Sequence, residues 1–166
     1  MRCLKRRYFL KRIFTMIGLL LAITLFNTVA FTTNKRLTRN QIVHIWMFTI
    51  AFQGLVDLYV AGKYDGYWYF SQAIDWESIL VLTILIPPVN MIFLNGYPFG
   101  SSLCKRMIYV GCWTIGILLY EALTLLPEPW GYFHHRWWRL RYSLFVYPFL
   151  LIMVVYYYKW IRKIEK

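Results

Sequence analysis

Apolar residues fall in five long runs, at 13–31, 42–60, 78–95, 107–126 and 144–158, with basic and aromatic links between them. Each run predicts a membrane-spanning helix. The central run, 78–95, is free of charge and too long for a buried strand, and it is interrupted by Pro87, Pro88 and Asn90. In lipid every backbone amide needs a partner inside the protein, so two consecutive prolines leave carbonyl groups for other helices, hydroxyls or water to satisfy. That requirement makes the third segment the interior helix of an all-α, polytopic transmembrane bundle of about five spans, the third broken at Pro87 and Pro88.

The links carry their own signals. Thr38 to Asn40 stand where the second helix needs an N-cap. In the 61–77 loop, Tyr64, Tyr67, Trp68, Tyr69 and Phe70 suit the headgroup layer, where a ring has one wet edge and one greasy face, so this loop is predicted to lie along the membrane surface. Asn95-Gly96-Tyr97-Pro98 reads as a turn, and Cys112 with Gly116 forms a small-xxx-small pair that permits close helix contact. The basic start resembles a signal peptide, but the 13–31 run is long enough to span and no small-x-small site closes it, so it is expected to be retained. The organisation is then a basic tail at 1–12, a helix bundle at 13–160 and a basic tail at 161–166. Neither an internal repeat nor the inverted pair of broken helices found in many transporters is present.

Composition strengthens this picture: 60% of the residues are hydrophobic, 20% are aromatic, and the net charge is +12. In a soluble protein such charge would point to nucleic acid. Here the bases sit between apolar runs, so they read as topology signals and contacts with anionic lipid headgroups, with no nucleic-acid partner. Cys3, Cys104 and Cys112 are far apart and form no CxxC, which gives neither a disulfide framework nor a zinc site. With five spans, the amino-terminal tail and the 61–77 and 127–143 loops share one face, here face A, which holds ten basic residues against nine on face B. Without that tail the count is four against nine, so the first helix and the later four favour opposite orientations. The acids are less evenly placed: Asp57, Asp65, Asp75, Glu77, Glu121 and Glu128 fall on or near face A.

Glu121 is expected roughly 8 Å, and Asp57 roughly 5 Å, inside the ends of their helices. A charge within a span costs about 2.5 to 3.5 kcal/mol on insertion scales, so both should face protein or water. One reading is a polar cluster of Asp57, Asp75, Glu121 and Asn90, joined by His134 or His135, that binds a cation, a proton or an amine headgroup. The commoner arrangement is structural, with the acids paired to Lys63, Arg139 or Arg141. Adjacent histidines on a helix point about 100° apart, so His134-His135 is a weak metal signal and a headgroup-layer role is expected; no metal or cofactor is implied. Asn27, Gln53 and Asn90 are placed to act as interhelical hydrogen-bond glue, worth about 0.6 kcal/mol each on average. No GxSxG, HExxH, P-loop or dinucleotide-binding glycine pattern occurs, and no serine has a recognisable partner, so the sequence points away from catalysis.

Lys63-Tyr64, Tyr69-Phe70, Asp75-Trp76, Pro88-Val89-Asn90 and Asn95-Gly96-Tyr97-Pro98 occur in that order, followed by Lys105, Tyr109, Trp113, Tyr120-Glu121, Gly131-Tyr132-Phe133, Trp138, Tyr142-Ser143 and Tyr147-Pro148. In these residues the chain, from the second segment onward, resembles a family of small uncharacterised multi-pass membrane proteins found mainly in spore-forming Gram-positive bacteria. His134-His135-Arg136 departs from the family pattern. The resemblance implies a plasma-membrane location and a multi-helix bundle, and brings no activity with it. The expected function is a non-enzymatic packing, interaction or accessory subunit of the cell envelope, as a homo-oligomer or with a membrane partner protein. The alternative is a small transporter or ion-binding protein using the carboxylate cluster.

Overall fold

The computed structural model describes residues 2–71, 76–127 and 131–165, excepting the side chains of 2–11. The chain is mostly helical, and among the described residues five helices are long and apolar enough to cross a membrane. They are α1 (Arg2–Thr33), α2 (Arg39–Lys63), α3 (Trp76–Gly96), α4 (Leu103–Thr124) and α5 (Leu140–Ile164). Arg2 to Arg12, within the stretch expected as a basic tail, are helical and continuous with the rest of α1. At the start of α2 the Thr38 hydroxyl accepts from Gln41 N at 3.2 Å while Gln41 Oε1 accepts from Thr38 N at 3.3 Å, a complete capping box.

The prolines do not break the third segment. A π-helical turn over Val81–Leu85 widens it, and Pro87 and Pro88 then fall in the first turn of the α-helical stretch Ile86–Gly96, where a missing N–H costs least. Their absent donors would have reached the carbonyls of Thr83 and Ile84. Instead the Trp46 indole of α2 donates to Thr83 O at 2.8 Å, and Asn27 of α1 donates to Ile84 O at 3.0 Å. The helix that needs neighbours is also the most enclosed, with 44% of its apolar window buried against at most 28% in the other four. Asn90 adds a second tie to α2, donating to Thr49 Oγ1 at 3.0 Å.

At face B the link after α1 locks onto the turn after α3. Asn95 donates to Thr33 O at 2.7 Å and accepts from Lys35 N at 3.0 Å, while the Arg36 guanidinium donates to the carbonyls of Leu94 and Tyr97. At face A the 61–77 and 127–143 loops pair with each other. Strands β1 (Tyr67–Tyr69) and β2 (Phe133–His135) form an antiparallel ladder with Tyr67 opposite His135 and Tyr69 opposite Phe133. This corrects both the purely helical expectation and the surface-lying loop: Tyr67, Tyr132 and Phe133 are buried, and only rings such as Tyr64 and Trp137 stay exposed.

Two hydrophobic clusters result. One, around Ile45, Met91, Phe93, Leu94 and Tyr158, fills the face-B half; the other, around Leu19, Val81, Leu85, Tyr132 and Phe133, fills the face-A half. Helix α4 packs its backbone closely against α5 and reaches α3 through rings, with Phe93 in contact with Tyr109 and Trp113. The Cys112 and Gly116 pair therefore does not serve helix contact within the chain: Cys112 is exposed, and a Cβ at Gly116 would meet nothing within 4 Å.

Candidate functional site

Between the two clusters lies a cavity of about 520 Å³ walled by all five helices and both strands. Its lining is chiefly aromatic and aliphatic, with polar side chains such as Thr49, Gln53, Asn90, Glu121, Thr124 and Tyr147. A space that mixes a large apolar wall with a few placed polar groups is the usual form of a small-molecule site.

Glu121 is its chemical centre. Helix α4 turns the side chain inward, leaving it 4% exposed. Oε1 lies 2.9 Å from His135 Nε2 and accepts from Ser143 Oγ at 2.9 Å, and Oε2 accepts from Tyr147 OH at 2.5 Å. Ser143 is held in turn by the Trp138 indole, which donates to its Oγ at 2.9 Å. A buried carboxyl is tolerable only when its lone pairs are satisfied, and β2 and the first turns of α5 supply what that requires.

Asp57, near the end of α2, accepts from the Tyr67 hydroxyl and from Gln53 Nε2 at 3.0 Å. Burial pushes the hydroxyls of Tyr67, Tyr69 and Tyr132 well above the ordinary tyrosine value, with Asp57 adding to the effect at Tyr67 and Tyr69. These rings therefore act as hydrogen-bonding groups, not as charges. A further buried acid, Glu77, receives Arg12 from α1 through Nε at 3.1 Å and Nη2 at 2.5 Å.

Of the cluster read from the sequence, Glu121 and Asn90 share the cavity wall, Asp57 stands behind Gln53 and Tyr67, and Asp75 lies outside the described residues. The cationic partners expected for the acids are engaged elsewhere. Lys63 lies over the rings of Tyr59 and Tyr64, Arg141 lies over Tyr142, and Arg139 occupies the N-cap position of α5. Neutral donors hold Asp57 and make two of the three contacts to Glu121, since tyrosine, serine and glutamine can be buried without the desolvation cost of a second charge.

The histidine reading is corrected as well. The pair sits on a strand, where neighbouring side chains alternate, so His135 turns in to Glu121 while His134 stacks on Trp68 with centroids 5.5 Å apart. Among the described residues no three His, Cys, Asp or Glu side chains are placed to hold a metal ion. Ser143 and Tyr147 were missed, although their i, i+4 spacing places them on one helical face and marked them as a possible pair.

No protein-family model, curated protein or solved structure matches the chain. The family resemblance thus rests on its short motifs, and the functional reading rests on the site.

Proposed function

We propose that this chain is a five-span, non-enzymatic integral membrane protein of a bacterial plasma membrane, and that it works by holding a small amphiphilic molecule inside its helix bundle. The single observation that carries this reading is a buried carboxyl, Glu121, on the wall of a 520 Å³ cavity that is otherwise mostly apolar. Filling that space with water would wet a wall that offers few polar partners. An apolar-bodied occupant covers the wall and leaves the few polar groups to its head.

The outer surface supports the membrane setting. Leu21, Leu25, Leu103 and Phe145 are each more than 60% exposed, which suits contact with acyl chains. Lys35, Arg36, Arg39, Lys105 and Arg106, in the links between apolar segments, suit anionic headgroups. A purely packing subunit has no use for an interior cavity. The bare-ion reading is weakened because donors already occupy Asp57 and most of the acceptor positions on Glu121, leaving room for one further donor and not for a coordination shell.

Native mass spectrometry of the protein released from nanodiscs of its host membrane tests this. A near-stoichiometric small molecule is expected on the parent and is depleted on a folded Glu121→Gln variant. A chain that emerges empty but tightly joined to a partner protein would establish the accessory-subunit reading instead.

A further inference from the structure

We infer that the occupant is an elongated, apolar-tailed lipid whose head donates a hydrogen bond, a hydroxyl or an ammonium group, and that it enters sideways through a slot between α1 and α4. This rests on the interior-binding reading above and adds the ligand class and the route.

The length of the cavity sets the shape of the tail. Tyr109 and Thr124 both line it, and over that interval α4 advances about 22 Å, so the apolar wall suits an elongated, apolar-bodied ligand.

The polar end sets the head. Among the described residues Oε1 of Glu121 has two hydrogen-bond partners, whereas Oε2 has Tyr147 alone, so an acceptor position remains on a group that lines the cavity. Asp57 stands close behind, with Gln53 between it and the cavity, and His135 is the one basic side chain bonded to either acid among the described residues. A carboxylate or phosphate head would be opposed by two acids. A hydroxyl or ammonium head completes the acceptor.

The route follows from which walls are shut. Tyr69 and Phe133 of the strand pair, with Tyr132 just before β2, close the face-A end, and Leu151 and Val154 of the face-B cluster border the opposite end. The flank is different: Cys112 and Gly116 line the cavity yet are exposed, and across the gap α1 meets α4 through the edge-on pair Phe26 and Tyr120, 5.8 Å between centroids. A slot facing the acyl chains admits a ligand already dissolved in the bilayer.

Cys112 reports on the slot directly. In a variant carrying Cys3→Ser and Cys104→Ser, reconstituted in phosphatidylcholine vesicles, its alkylation by a bilayer-soluble maleimide is followed with myristyl alcohol, myristylamine or myristate present. The alcohol and the amine are expected to slow the reaction about tenfold, equivalent to about 1.4 kcal/mol, and myristate to leave it unchanged. Gly116→Leu, which grows into open space, should fold normally and make the rate indifferent to all three. Equal protection by all three overturns the head assignment and leaves the interior site standing. Protection by none, in parent and Gly116→Leu alike, overturns both. Equally fast reaction with a membrane-impermeant maleimide overturns the sideways route.

Discussion

The indole nitrogen of Trp46 lies 2.8 Å from the carbonyl oxygen of Thr83, the group that Pro87 leaves without its helical donor. Asn27 does the same for Ile84 O and Pro88 at 3.0 Å. The proline pair thereby fixes which faces of α1 and α2 lie against α3. Trp46→Phe keeps a ring beside Phe31 but removes the donor, and is expected to cost about 0.6 to 2 kcal/mol. In a Pro87→Ala background, where residue 87 regains its own N–H, the same substitution should cost less. Unfolding titrations of the four variants in mixed micelles measure the coupling.

The Glu121 network should behave as a unit. Ser143→Ala removes a fully buried hydroxyl bonded to both Glu121 and Trp138, and is expected to destabilise the fold by about 1 to 3 kcal/mol. Glu121→Ala orphans three groups at once and should cost about 3 kcal/mol or more. Because the two share a network, the double variant is expected to lose less than the sum of the single losses. The same titrations give all three values.

Two glycines should respond in opposite ways. A Cβ at Gly131 would lie 2.1 Å from Leu126 O and 2.4 Å from Thr124 O, both backbone atoms that cannot yield cheaply. Gly131→Ala is therefore expected to lose about 3 kcal/mol or more, and with it the pairing of β2, which follows, with β1. Gly116→Ala meets open space and should gain up to about 1 kcal/mol from helix propensity alone. Thermal unfolding of the two purified variants checks both signs.

Acid should loosen the face-B end. Gln41 and then Asn40 donate to Glu165 and hold its carboxyl below its ordinary value of 4.5. A depressed carboxyl adds stability above its unfolded value and loses it as the pH falls through the folded one. The parent should therefore be the more stable form at neutral pH, and its advantage over Glu165→Gln should vanish well below pH 4.5. Melting curves of the two proteins across that window measure the effect.

The helices were legible because apolar length is a local property, as was the Thr38 cap. The proline pair even announced that two carbonyls would need outside donors, though not that Trp46 and Asn27 would supply them. The strands were not legible. Three residues are too few to show alternation, and the partners, Tyr67 and His135, are separated in the chain by the whole of α3 and α4. Their aromatic residues match those of a headgroup belt, since a ring that plugs a core and one that floats at an interface are the same side chain. For the site, the sequence identified Glu121 and Asn90 but assigned the acids charged partners. Which donor reaches a buried acid is set by loop closure, and Lys63 and Arg141 found rings nearer at hand.

His135, Ser143 and Tyr147, which hold Glu121, all come after it in the chain. A chain that enters the membrane from its amino end therefore commits the fourth helix with its carboxyl still lacking all three partners, and completes the site only when the last helix arrives. The order of synthesis makes α5 a keystone: until it is in place the other four surround a vacancy with an acid in its wall.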